Sequence, residues 1–255
     1  MKLAGKNAAG QAGFTLVEIA IVLLVVTILL GYTVAMFPVQ QELKQYNRAN
    51  DDMDSIVEHL IAFAQVNGRL PCPDDDPDGL EDASGGPPVN NCNVFFGYLP
   101  ARTLGIEGKY NAAGSLIDPW GNEYGYAVSG DAGVLNADID LVTANGIRDE
   151  GIANVTPDLF LCTDSTVLGN HLDCGAVTGG TEAIGNVAAV VVSAGKDFDP
   201  VGISNIQAEN TDDFLDGTND RVFIFSPRRD DYDDIVKWVS TNLLFSKMIE
   251  ADQLP

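Results

Sequence analysis

Basic side chains are scarce in this chain: 14 Lys plus Arg stand against 37 Asp plus Glu, a formal net charge of −23 at pH 7. That argues against nucleic acid as a partner, because binding phosphates needs a basic patch. Histidine is scarcer still, with His59 and His171 alone. No Gly-x4-Gly-Lys-Ser/Thr phosphate loop occurs, and with the cysteines expected to be oxidised no catalytic constellation stands out, so no enzyme is expected. None of the four cysteines sits in the C-x-x-C spacing of a zinc or redox motif. A standard secretory signal is missing too, since its apolar region would precede the cleavage site and here it follows.

What is present begins at the N-terminus. Residues 1–13 carry Lys2 and Lys6 and no acid, and an apolar run starts abruptly at Phe14 and lasts to Phe37, 24 residues. At about 1.5 Å per residue that makes a helix of roughly 36 Å, against a hydrocarbon core of about 30 Å. The expectation is a cleaved leader, 1–13, then a single-pass inner-membrane helix, 14–37, with the remainder in the periplasm by the positive-inside rule. Glu18 is out of place in such a run, at a cost on the order of 2.5 to 3.5 kcal/mol on insertion scales. Cleavage after Gly13 would free a charged amine on Phe14, which a neighbouring subunit's helix end would bring to Glu18. Snorkelling of Glu18 to the interface is the alternative.

Beyond Pro38, Leu43, Tyr46, Met53, Ile56, Val57, Leu60, Ile61 and Ala64 recur at helical spacing, predicting an amphipathic helix over 38–67 that ends at Asn67-Gly68. A globular domain, 68–255, follows. Its expected strands are Tyr124 to Val128, Val187 to Ser193 and Arg221 to Phe225. Asp118-Pro119-Trp120-Gly121 has the residues of a type I turn leading into the first of these, with Trp120 as a packing anchor. Asp230, Asp231, Asp233 and Asp234 ahead of Ile235 to Val239 suit a helix with acids at its positive end. Ser240 then caps a second helix burying Leu243, Leu244, Phe245, Met248 and Ile249.

Cysteines fall as two local pairs, Cys72 with Cys92 and Cys162 with Cys174. Three connectivities are possible, and the local one is favoured because short loops close more easily. Two disulfides place the domain in an oxidising compartment and pin the long loops. Asp74, Asp76 and Asp78 before Gly79 reproduce the first half of a calcium loop, whereas the twelfth position is Gly85 instead of a bidentate Glu. A second possible Ca2+ set is Asp197, Asp199, Asp231 and Asp234, with helix capping as the competing explanation.

Gly13-Phe14-Thr15-Leu16-Val17-Glu18 followed by Ile19 to Leu30 resembles the prepilin cleavage and methylation signature of type IV pilins and type II secretion pseudopilins. Asp118-Pro119-Trp120-Gly121-Asn122-Glu123-Tyr124 is similar to a turn and strand of major pseudopilins, and Asp231 to Trp238 to their acidic calcium segment. Gly68 to Pro73 and Ala251 to Pro255 look like an enlarged bacterial prepilin-like group. The resemblance implies an α+β pilin-like fold, with a long N-terminal helix on a small antiparallel sheet, disulfide-pinned loops and a C-terminal helical segment. It implies cleavage between Gly13 and Phe14 and N-methylation of Phe14 by a prepilin peptidase, and Glu18 as the acid that pairs with a neighbour's terminus. Other pilin or pseudopilin subunits and an inner-membrane assembly platform are the implied partners. The function so implied is that of a minor pilin or pseudopilin-like subunit of a periplasmic or surface filament. The alternative is a tip adhesin or ligand-binding module carried on a pilin helix.

Overall fold

The computed structural model describes residues 13–85, 88–89, 91–130, 139–163, 174, 181–196, 198, 210–211, 221–229 and 232–254, with the side chains of 32–38 and 181–183 left aside. The chain divides into two compact units, Met1–Lys44 and Gln45–Pro255. One helix, α1 (Leu16–Asn67), contributes to both.

In the second unit the amphipathic pattern of α1 becomes a core face. Ala49, Met53, Ile56, Leu60 and Ala64 are each 0% exposed, three or four residues apart as one helical stripe requires. They join a single apolar cluster with Tyr124, Tyr126, Val190 and Val239. Gly68, at φ 68, ends the helix and returns its N–H to the Ala64 carbonyl at 2.8 Å, the left-handed C-terminal cap that glycine adopts without a Cβ penalty. Leu43, expected on the buried stripe, belongs to the first unit and is 51% exposed.

Among the described residues eight strands follow α1, and the three expected ones are present at Gly125–Val128, Thr181–Ser193 and Val222–Ile224. A small hairpin pairs β1 (Ala83–Ser84) with β2 (Asn91–Cys92). The main sheet has six strands: β3 (Phe96–Tyr98), β4 (Gly125–Val128), β5 (Leu159–Thr163), β6 (Thr181–Ser193), β7 (Val222–Ile224) and β8 (Ile235–Ser240). β6 organises it. Its C-terminal half pairs antiparallel with β4 and with β8, and its N-terminal half with β5. β3 extends the β4 side antiparallel, and β7 joins β5 in a parallel pairing. The fold is therefore α+β with a small, largely antiparallel sheet, one pair excepted. A short helix, α2 (Gly146–Glu150), lies between β4 and β5, and α3 (Thr241–Glu250) follows β8.

Two expectations for the C-terminal part are corrected. Ile235 to Val239 form a strand and not a helix, in register with β6 from Ile235 opposite Ser193 to Ser240 opposite Val187. Three β-branched residues and a tryptophan suit a pleated, half-buried surface better than a helix, and β6 offers a long edge to complete. In α3 the buried face is narrower than expected: Leu244, Phe245 and Met248 are buried, whereas Leu243 and Ile249 are 44% and 45% exposed. Ser240 occupies the N-cap position, although its side chain makes no capping hydrogen bond.

Both local disulfides are formed, Cys72–Cys92 and Cys162–Cys174. The first ties the residue stretch after α1 to the β1/β2 hairpin. The second holds Cys174 against the end of β5, in a satellite apolar cluster with Val222, Ile224 and Tyr232.

Candidate functional site

The N-terminal candidate site lies in the first unit. Residues 13–15 are non-helical and α1 starts at Leu16. Thr15 sets that start: its Oγ1 accepts the Glu18 N–H at 3.3 Å, and its carbonyl accepts the Ile19 N–H at 3.2 Å. This is N-cap geometry, in which a hydroxyl three residues back satisfies an amide that the first turn leaves without a partner. Gly13 has open space around it, and Phe14 is 78% exposed. A bond in such a segment is sterically open to a peptidase. Glu18, exposed in the first turn, also complements the positive end of the helix dipole. Thr15-Leu16-Val17-Glu18 has the spacing of a capping box, a signal that gives the acid a local role beside any intersubunit one.

Residues 16–31 present an unusual surface. Leu16, Ile19, Val22, Leu23, Leu24, Ile28 and Leu30 are all more than half or about half exposed, with no polar residue among their neighbours other than Glu18 and Thr27. Exposed apolar surface of this extent marks an interaction site.

The expected single-pass inner-membrane location is overturned. Among the described residues, no helix is long and apolar enough to cross a membrane. The leader expected over 1–13 lies, apart from Gly13, outside the described residues.

The acidic loops hold the second set of candidates. Carboxylate oxygens of Asp74, Asp76 and Asp78 lie within 4.8 Å of one another, and oxygen ligands at such spacing can converge on one Ca2+. Yet the loop already uses them. The buried Asp74 accepts the Asp76 N–H at 3.1 Å through Oδ1 and the Gly79 N–H at 2.6 Å through Oδ2, while Asp78 accepts the Leu80 N–H at 2.8 Å. Gly79 is required by the close approach of this loop to the next: at φ 87, an added Cβ would stand 2.5 Å from the Gly114 carbonyl oxygen. Burial pushes the Asp74 carboxyl up, and the adjacent Asp78 charge does most to raise that of Asp76.

Of the other cation set, Asp197, Asp199 and Asp231 lie outside the described residues. Asp234 is 5% exposed and accepts the Asn210 amide at 2.9 Å. Asn210 is a hub that sequence reasoning did not single out: it also donates to the Ile224 carbonyl and the Tyr232 hydroxyl and accepts the Ile224 N–H at 2.7 Å. This ties Asp234 to a buried structural network at the edge of β7.

Asp118 turns out to be the best-connected acid. Its Oδ1 accepts the N–H groups of Trp120, Gly121 and Asn122 at 2.8 to 2.9 Å, and its Oδ2 accepts the Ser193 hydroxyl at 2.7 Å. The expected turn is present, with the Gly121 N–H bonded to the Asp118 carbonyl at 3.1 Å, and Trp120 packs against the core. Also unforeseen is Arg69, 7% exposed, whose two guanidinium nitrogens grip Glu81 at 2.8 and 2.7 Å while the ring of Phe63 lies 5.2 Å away. In a chain with so few cations, an arginine immediately after a helix terminus was the available signal.

No family model, no curated protein and no solved structure matches this chain.

Proposed function

We propose that the chain is a structural filament subunit of the minor pilin or pseudopilin type, processed between Gly13 and Phe14 and assembled through its N-terminal helix. The observation that carries this reading is the exposed apolar surface of residues 16–31 directly behind an open, non-helical Gly13-Phe14 junction. In water that surface is unfavourable, at roughly 25 cal/mol per Å² of apolar area left exposed. Packing helix against helix with further copies or related subunits removes it. The α+β body with two disulfides is compatible with the pilin-like fold that the prepilin-type signature implies, and serves as the part displayed on the filament exterior.

Glu18 has a definite task in this arrangement. Buried among apolar helices, its carboxylate needs a cationic partner, and the Phe14 amine of an adjacent subunit supplies one. The pair selects an axial register because one helix end must meet the first turn of the next. Mass spectrometry of the N-terminus of purified filaments tests the reading, with a chain beginning at N-methylated Phe14 as the expected result. A subunit that retains residues 1–13, or that never enters filaments, would count decisively against it.

A further inference from the structure

In the second unit, α1, the residues after β7 and the strand β8 enclose a half-open cavity of about 320 Å³. Tyr46, Phe225 and Trp238 form aromatic walls, with Trp238 edge-on to Phe225 at 5.3 Å and 78°. The guanidinium of Arg228 covers one face of Tyr46 at 5.3 Å. The polar part of the lining comes from Asn50, Ser226, Asp234, Lys237 and the hydroxyl of Tyr232. Three of them are held in place, Asp234 by the Asn210 amide at 2.9 Å, Lys237 by the Asp54 carboxylate at 2.8 Å and Asn50 by donating its amide to the Tyr46 carbonyl at 3.0 Å. Phe225, by contrast, leaves 40% of its surface open to solvent, an uncommon exposure for a phenylalanine beside a formed pocket.

From this lining we infer that the cavity is a binding site for a neutral saccharide ring. A wholly apolar ligand would cover the donor and acceptor positions that Asp234, Lys237 and Asn50 still offer to water and return no hydrogen bond to them, an unfavourable exchange. An anion meets Asp234 and a chain of net charge −23. A cation meets Lys237, and the Tyr46 face it would use is already taken by Arg228. A pyranose has what remains: C–H faces that stack on aromatic rings and hydroxyls that both donate and accept. Ligand pockets start at about 300 Å³, so the space suits a single ring. The proposal stands on the second unit alone and holds whether or not the chain assembles into filaments.

Saturation-transfer NMR tests it on the full chain, kept in solution with a detergent that has no sugar headgroup. The probes are glucose, galactose, N-acetylglucosamine and their β-linked dimers. At least one of them is expected to receive saturation at its ring C–H protons, falling fivefold or more in Phe225→Ala and in Asn50→Ala. Should Phe225→Ala alter the near-ultraviolet circular dichroism, Phe225→Leu keeps bulk without an aromatic face and is expected to show the same loss. Absence of transfer to every sugar, transfer undiminished in the variants, or stronger transfer to toluene than to any sugar would overturn the assignment.

Discussion

At the scale of single residues, the buried ionic groups outweigh the exposed acids that dominate the composition. Asp118 satisfies four donors at once, so Asp118→Ala leaves the buried Ser193 hydroxyl and part-buried turn N–H groups without this acceptor and is expected to cost about 3 kcal/mol, read as a lower midpoint in urea. Asp118→Asn keeps an acceptor oxygen and should cost less. The pH dependence has a definite sign. Burial, the largest influence, raises the Asp118 carboxyl above its ordinary 3.8 although its hydrogen bonds pull the other way. Between 3.8 and the raised value the folded state binds more protons than the unfolded one, so stability falls as pH rises through that window. Urea midpoints measured across the acid range should show this step in the wild type and a smaller one in Asp118→Asn. Arg69 and Glu81 form a second such centre. Removing Glu81 strands a nearly buried guanidinium, and Glu81→Ala is expected to destabilise by roughly 3 to 5 kcal/mol. A double variant, Arg69→Met with Glu81→Leu, should recover much of that loss.

At the scale of elements, α1 has two surfaces with different requirements. Leu60 is 0% exposed and Leu43 51% exposed, so Leu60→Ala should cost about 2 to 5 kcal/mol, while Leu43→Ala should leave the urea midpoint of the body nearly unchanged. The amphipathic stripe from Met53 to Ala64 and its stop at Gly68 were legible from sequence because helical periodicity and a glycine terminus are local signals. Strand β8 was misjudged for a local reason too. Four aspartates ahead of an apolar run look like a helix start, but β6 presents a long edge, and pairing with it outweighs a dipole effect worth about 0.3 to 1 kcal/mol per charge. Strands β3 and β5 were missed because Phe96–Tyr98 and Leu159–Thr163 are short and lie among loop residues. Their strand character is supplied by the partners β4 and β6.

For the whole molecule, the filament reading links the exposed helix of residues 16–31 to a body of high negative charge. Glu18→Ala is expected to be cleaved normally yet to enter filaments poorly, measured as processed subunit in the cell fraction against subunit in sheared filaments. Normal incorporation would remove Glu18 from the assembly role. Like-charged bodies also repel. Screening lengths fall from about 30 Å at 0.01 M salt to about 8 Å at 0.15 M, so self-association followed by sedimentation velocity should strengthen with salt across that range. A salt-independent association would mean that the bodies stay too far apart, or too well neutralised by neighbours, for their charge to matter.

The sequence by itself determined the features that depend on neighbours along the chain: the helical stripe, the turn at Asp118 and the acidic character of the loops. Local cysteine pairing, favoured among three possibilities because short loops close more easily, is the pairing the folded chain forms. Tertiary structure also decided which acids are occupied by their own backbone, as at Asp74 and Asp118, and which are drawn into a buried network, as Asp234 is by Asn210. It decided that Ile235 to Val239 extend as a strand, and it brought Tyr46 beside Phe225 and Trp238. The physical reason is distance along the chain: propensity and periodicity act over a few residues, whereas pairing partners and pocket walls come from segments that only the closed core brings together.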